Sequence, residues 1–324
     1  MNVLIVSNEY TKPGRIGNPI INRIIDALRV NPSVGSVDFV PFRNRFSSFS
    51  EIRSAARRAD IIHIQFGGLY AFLIWFSVIG IAKPKLLTFH GTDIHAKEMR
   101  TAKSVLSKVK IWLNQKASFC SVLLFRRLGF VSDSLYAYLP KFILSRYSHK
   151  LFVQPLGVDY QMFQPLDKAE ACRAIGVEPK RYALFSDKSG TTLKRRDIAE
   201  AIIRQLGDGY ELLVMCGVSP DQVPLYLNAC DFVLLTSDEE GSPNITREAL
   251  SLNKRVFSVE VGDVPQQLSG LRDSLIISRD PQLAANAIRR SLDIAYTDNT
   301  RETLRHRLDF NYLINNLVDI YKTI

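Results

Sequence analysis

Glu240 and Glu248, eight residues apart within EEGSPNITREAL, are carboxylates that could hold a hydroxyl-bearing ligand. A carboxylate accepts from two adjacent hydroxyls, which fixes orientation as well as adding energy. Spacing alone does not make a site, because glutamates eight positions apart recur by chance and usually mark a solvated helix face. The surroundings carry the case. DFVLLTS, residues 231–237, reads as a buried strand of a parallel sheet, and Ser242-Pro243 then opens a helix, proline suiting the first helical position. Where a strand end meets a helix start, N–H groups without partners and the dipole end attract an anion such as a pyrophosphate. Glu240 would lie at the mouth of that crevice and Glu248 about two turns into the helix. A second buried strand follows in NKRVFSVEVGDVPQQL and ends in a Gly-Asp loop.

Two further groups of residues carry chemistry. FSDKSGTTLKRRDIAEAI is a strand end, a glycine-containing loop and a helix, with Lys188, Lys194, Arg195 and Arg196. Cations at a helix start are ordinarily solvated and oppose the dipole, so their presence here favours a bound anion. LLTFHGTDIH puts His90 at the end of a strand, with Gly91, Thr92 and Asp93 turning after it. A lone strand histidine is more often structural; the strand-end position and the Gly-Thr-Asp turn make His90 a site candidate. His63 and His95 lack that support and read as structural. Gly14 and Gly17, in the loop after the first strand, would let backbone approach an anion, though a single Gly-x-x-Gly is a weak signal.

These residues need a scaffold that brings strand ends together, and the chain alternates strands with helices throughout, as βαβ units do. NVLIVS, ADIIHIQF and KLLTFHG in the first half, and YALFS, YELLVMC, DFVLLTS and RVFSVE in the second, are the predicted strands. At 324 residues the chain exceeds the length at which one core stops growing, so two domains are expected. Pro155, Gly157 and Pro165 in HKLFVQPLGVDYQMFQP punctuate the seam between them. Cys120, Cys172, Cys216 and Cys230 have no metal-ligand spacing and read as small buried hydrophobes in a reducing, cytosolic compartment. MNVLIVSNEY reads as a strand, without the basic leader and long apolar core of a signal peptide.

Charge divides the chain. Residues 1–155 hold 22 Lys and Arg against 8 Asp and Glu, whereas residues 156–324 hold 20 against 24. A basic half implies an anionic partner: nucleic acid, a phosphorylated substrate or an anionic membrane leaflet. No helix-turn-helix, zinc-finger, RRM or KH signature is present, so nucleic acid is not the expected partner. The apolar stretch 67–82 is short of the ~20 residues that a spanning helix needs and reads as a buried core helix. HAKEMRTAKSVLSKVKIWLNQKA, within 95–117, sets lysines and Arg100 against Met99, Leu106, Val109, Trp112 and Leu113. Such a helix either lies in a membrane headgroup interface or forms a solvated surface helix with one core face, and both readings stay open.

The order Glu, seven residues, Glu, followed by the strand and Gly-Asp loop, resembles the nucleotide-sugar site of retaining glycosyltransferases of the GT-B fold. The likeness is to glycosyltransferase family 4, especially its bacterial enzymes of cell-surface polysaccharide synthesis, and residues 223–267 are its most specific part. It implies an α/β fold of two Rossmann-like domains with parallel sheets facing across a cleft. Residues 1–155 would bind the acceptor and residues 156–307 the donor, with the terminal helix 308–324, striped by Leu308, Leu313, Leu317 and Ile320, crossing back onto the first domain. The seam is similar to the family's Pro-Asn-Gly-Val-Asp linker, with Leu156 in place of Asn.

The resemblance implies transfer of a hexose, with retention, from a nucleotide-diphosphate sugar to a polysaccharide or lipid-linked acceptor, with no metal and no cofactor beyond the donor. Lys188 and Lys194 would neutralise the diphosphate, Lys188 standing where relatives carry arginine after the strand. Glu248 would bind the ribose, and Glu240 and His90 the transferred sugar. Backbone N–H groups of Gly241, Ser242, Asn244 and Ile245, around Pro243, would complete the donor cradle, with the Gly14 and Gly17 loop on the acceptor side. No protein nucleophile is implied; the departing diphosphate assists deprotonation of the acceptor on the same face. The expected place is the cytoplasmic face of the membrane, through peripheral contact of the basic half. The alternative is a catalytically silent module of the same fold that binds sugar nucleotides or a partner subunit.

Overall fold

The computed structural model describes residues 1–7, 19–42, 46–91, 93–94, 104–187, 192–207 and 209–324. Gly14, Gly17 and Lys188 lie outside them, as do His95 and the first residues of the basic helix. The chain forms two compact units, Met1–Leu156 with Leu313–Ile324, and Gly157–Tyr312. In the first, β1 (Asn2–Ser7), β2 (Ser36–Pro41), β3 (Ile61–Gln65), β4 (Lys85–Phe89), β5 (Arg127–Phe130) and β6 (Leu151–Val153) form one sheet in the order β2-β1-β3-β4-β5-β6. In the second, β7 (Arg181–Ser186), β8 (Tyr210–Met215), β9 (Phe232–Leu235), β10 (Arg255–Ser258) and β11 (Leu275–Ile276) follow the order β11-β10-β9-β7-β8. Every strand pairing among the described residues is parallel.

Both sheets are therefore wound the same way, with the strand order reversing between β1 and β3 and between β7 and β9. That reversal opens a crevice beyond the carboxyl ends of the strands, where doubly wound folds bind ligands. The central strands are apolar on both faces because helices cover both: Leu4, Ile5 and Val6 of β1 and Phe232 and Val233 of β9 are fully buried. The helix Arg196–Leu206 shows the matching stripe, burying Ile198, Ala199, Ile202, Ile203 and Leu206 at helical spacing. Each large apolar side chain buried in this way contributes about 1.5–3 kcal/mol.

The chain passes between the units at 156–157 and again at 312–313. Beside these passages Val158 donates to Leu308 O at 2.7 Å and accepts from Phe310 N at 3.0 Å. Gly157 is required there, since a Cβ would lie 2.5 Å from Phe310 Cα. The helix Phe310–Lys322 buries Leu313, Ile314, Leu317, Val318 and Tyr321, so its apolar face differs from the expected stripe. Ile320 is only half-buried, and Leu308, before the break at Asp309, packs in the second unit's core.

Three more expectations change. The stretch at 67–82 holds the helix Leu69–Ser77, which buries Ala71 and Ile74 but leaves Leu69, Leu73 and Phe76 exposed. Only one of its faces meets the core, so it is not a buried core helix. Cys172 and Cys230 are buried, but Cys120 and Cys216 are exposed. Pro243 is the N-cap of the helix Asn244–Ser251 and does not take its first position. Among the described residues no helix is long and apolar enough to cross a membrane.

Candidate functional site

Glu240 follows β9, and Lys194 ends a short turn, Thr192–Lys194, that follows β7. These strands flank the second unit's switch point, and the two side chains meet there, Lys194 Nζ lying 2.5 Å from Glu240 Oε1. Ser237 Oγ donates to the same oxygen at 2.8 Å. The pair is mostly buried, with 26% and 15% of the side chains exposed, so its attraction is screened less than that of a surface pair. The backbone beneath is tied across the switch point: Thr236 Oγ1 donates to Lys194 O at 3.0 Å and Asp238 N to Leu193 O at 2.9 Å.

The neighbouring cations are otherwise engaged. Arg195, at φ 52°, pairs with Asp197 at 2.8 Å and Asp238 at 3.3 Å, and Arg196 pairs with Glu200 at 2.8 Å. Of the Lys-Arg-Arg run, only Lys194 turns to the candidate glutamate. Arg279, which the sequence did not single out, donates to Thr236 O, Ser237 O and Asp238, holding the strand-end backbone in place.

The turn from Gly241 to Pro243 leads into the helix Asn244–Ser251, whose first turn has no side-chain cap. Thr246 N turns back to Pro243 O at 3.3 Å, and the N–H groups of Asn244 and Ile245 ahead of it are the ones that a bound anion could take. Glu248 lies on this helix and is half-buried. Behind the turn is a buried ion pair that sequence reading missed. Arg247 Nη2 is 2.9 Å from Asp263 Oδ2, with 4% and 8% of the side chains exposed. Ser242 Oγ donates to the same carboxylate oxygen at 2.7 Å, and Gln267 Nε2 donates to Oδ1 at 2.6 Å. Arg247 Nη2 also contacts Ser242 Oγ. Burial lowers the guanidinium's pKa from its ordinary value, against the opposing pull of Asp263. Gly262, at φ +56°, lets the loop after β10 press on the Glu240-Gly241 backbone: a Cβ there would lie 2.5 Å from Gly241 O. The Gly-Asp dipeptide at a strand end was the signal in the sequence, but its partner Arg247 had none.

In the first unit His90 follows β4 and Gln65 ends β3. His90 Nε2 is 2.9 Å from Gln65 Oε1, and the ring stacks on Phe66 with centroids 4.1 Å apart. Phe66 has φ 73°, rare for a side chain of its bulk and a cost that the surrounding fold sustains. Asp93, only 6% exposed, holds the loop: its carboxylate accepts from His90 N at 3.0 Å, Gly91 N at 2.8 Å and Gly67 N at 2.7 Å. Burial pushes the Asp93 carboxyl up, while these donors favour its ionised form. His63, expected to be structural, is buried two residues before Gln65 and bonds to Tyr321 Oη and Thr88 Oγ1. Burial holds both His63 and His90 down to about 3, so both rings are neutral at neutral pH. Among the described residues no group of three or more His, Cys, Asp or Glu is placed to hold a metal ion.

No protein-family model matches the chain, and no curated protein sequence matches it. Solved structures do. HepE of Anabaena, in complex with UDP-glucose, matches over 100% of both chains with a TM-score of 0.73 and 14% identity. Sucrose-phosphate synthase from Thermosynechococcus elongatus matches over 100% of this chain and 99% of its own, at TM-score 0.72 and 14% identity. WaaG, a glycosyltransferase involved in lipopolysaccharide biosynthesis, matches over 98% and 99%, at TM-score 0.67 and 14% identity. The chain has the GT-B fold of these glycosyltransferases, two Rossmann-like α/β domains with parallel sheets.

Proposed function

We propose that this chain is a retaining glycosyltransferase that moves a hexose from a nucleotide-diphosphate sugar to a glycan or lipid-linked acceptor. The observation that carries the reading is the Lys194–Glu240 pair at the switch point of the second sheet, beside an uncapped helix start. UDP-glucose bound to HepE, which shares the fold, supports a nucleotide sugar as the ligand class. In this reading Gly157–Tyr312 binds the donor and the first unit receives the acceptor.

The geometry suggests how the donor engages. A diphosphate that reaches Lys194 competes with Glu240 for the ammonium, and each hydrogen bond lost by the carboxylate frees an oxygen for a sugar hydroxyl. The pair thus stores an anion anchor and a hydroxyl acceptor as one nearly neutral unit until both ligand groups arrive. Lys188 would share the diphosphate, and N–H groups from Gly241 to Ile245 would add donors without net charge. Glu248 would fix the ribose and His90 the transferred sugar. Attack and departure occur on one face, the leaving diphosphate taking the acceptor proton, with no metal required.

The same reading puts the chain at the inner face of the cytoplasmic membrane. The helix Val105–Leu124 contains Lys108, Lys110 and Lys116 and no acidic residue, and it exposes Val105, Leu106, Val109, Trp112 and Leu113. That composition suits an anionic headgroup layer.

The test is a thermal-shift screen with UDP-, GDP- and ADP-sugars, followed by product analysis. A nucleotide sugar that binds the folded state raises the melting temperature by mass action. We expect one donor to do so, Lys194→Ala and Glu248→Ala to weaken the effect, and the product to keep the donor's anomeric configuration. Full activity in both variants would remove the site assignment, and a product of opposite configuration would remove retention. Failure to hydrolyse or transfer any bound donor would favour a silent binding module.

A further inference from the structure

We propose that Gln65 is a positioning residue that fixes the tautomer of His90, leaving Nε2 with the ring proton and Nδ1 with a lone pair for a hydroxyl of the transferred sugar. The hydroxyl partner rests on the reading of His90 given above, whereas the tautomer rests on geometry in the first unit alone. His63 and Gln65, two apart on β3, project to the same face. Gln65 Oε1 lies 2.9 Å from His90 Nε2, and a carbonyl oxygen can only accept, so His90 Nε2 carries the hydrogen. The amide nitrogen of Gln65, which can only donate, lies 3.2 Å from His63 Nε2, so that nitrogen is bare. Thr88 Oγ1 donates to it as well, at 2.8 Å. A neutral His63 must then hold its proton on Nδ1 and donate it to Tyr321 Oη at 2.6 Å.

The Gln65 amide sets both rings and the Thr88 and Tyr321 hydroxyls adapt to them, so an uncharged chain of bonds runs from Tyr321 on the last helix to His90. Reversing His90 would require turning the Gln65 amide over and moving the proton of His63 at the same time. Stacking on Phe66 and the three backbone bonds to Asp93 oppose the other escape, rotation of the His90 ring. Among the described residues the titratable groups around the rings are Asp93 and Tyr321, and burial keeps the rings neutral, so protonation does not override the arrangement. With Nε2 engaged, the one function left to the ring is to accept at Nδ1. Among the described residues Nδ1 makes no hydrogen bond.

Long-range nitrogen–proton NMR on the full chain carrying ¹⁵N-histidine, at neutral pH without ligand, decides the matter, with His90→Asn used to assign the signals. We expect His90 as the Nε2–H tautomer and His63 as the Nδ1–H tautomer. Gln65→Leu should turn His90 into a tautomer mixture, and kcat with UDP-glucose should fall about tenfold while KM changes less than about twofold, the scale of one neutral hydrogen bond. Gln65→Glu, which can only accept when ionised, should in that form keep Nε2–H on His90 and switch His63 to its Nε2–H form. An Nδ1–H tautomer at His90 in the native chain, or an unchanged His90 spectrum in folded Gln65→Leu, would overturn the proposal. The native spectrum decides even if a variant does not fold. Because the spectra need no donor, the expected tautomers in a chain without transferase activity would remove the glycosyl-transfer reading and leave the tautomer assignment standing.

Discussion

The strand ends of the two units solve one problem in opposite ways. Around His90 the groups that touch the ring are neutral, and order comes from a relay of donors and acceptors anchored by the Gln65 amide, whose oxygen can only accept and whose nitrogen can only donate. Around Glu240 the groups are charged, and order comes from pairing: Lys194 with Glu240, and Arg247 with Asp263. A neutral relay suits a group that must present one hydrogen-bonding polarity to an uncharged hydroxyl. In the proposed reading, paired charges suit a ligand that is itself charged, because an incoming diphosphate would compete with the carboxylate for the lysine. Within the second unit the two pairs also differ. Arg247–Asp263 is sealed and structural, whereas Lys194–Glu240, though mostly buried, keeps 26% and 15% of its side chains exposed.

The largest effect expected from breaking this contrast is on the sealed pair. Asp263→Ala leaves the Arg247 guanidinium buried without its anion, and urea unfolding should show a loss of about 3–5 kcal/mol. Replacing Arg247 and Asp263 together with apolar residues should recover much of it; a double variant as unstable as the single one would contradict the pairing argument. Next comes the open pair. Lys194→Ala should cut kcat/KM for the donor by about 10²–10³-fold, the range for removing one charge-stabilising donor, with little change in melting temperature.

Acid separates the neutral relay from the charged cluster. Because the folded value for His63 is held to about 3 against an ordinary 6.5, the unfolded chain binds more protons between these values. The contribution of His63 to stability is complete above pH 6.5 and declines as the pH falls toward 3, by up to about 1.4 kcal/mol per pH unit. His63→Leu should flatten that slope in urea midpoints taken from pH 7.5 to 5; an unchanged slope would place the acid sensitivity elsewhere. The smallest effect belongs to the exposed pair Arg196–Glu200, where Glu200→Gln should cost about 0.3–0.5 kcal/mol and less at high salt. Vesicle flotation tests the basic helix: Trp112→Ala with Leu106→Ala should weaken binding to anionic vesicles, and equal binding to neutral ones would remove the electrostatic part of that reading.

Much of the architecture was readable because strand and helix signals are local. An apolar run such as DFVLLTS or an amphipathic repeat such as RDIAEAIIRQL announces its element from near neighbours alone. The Glu240 and Glu248 spacing and the His90 turn were legible for the same reason. Arg247 was not, because an arginine inside a helix ordinarily points to solvent, and only its contact with Asp263, sixteen residues on, shows it buried. The expected burial of the stretch at 67–82 failed in the same way, since hydropathy cannot say which helix faces find a partner. Lys188, Gly14 and Gly17 lie outside the described residues, so their roles rest on sequence.

By itself, then, the sequence determined the alternating elements, the seam near Gly157, the basic first half and the glutamates at a strand-to-helix junction. Tertiary structure alone decided the strand order that creates the switch points, the pairing of Lys194 with Glu240, and the contact of Tyr321 with His63 across more than 250 residues. The division has one physical cause. Periodicity and turn chemistry act over a few residues, whereas ion pairs and proton relays depend on groups brought within about 3 Å by parallel crossovers that no local pattern encodes.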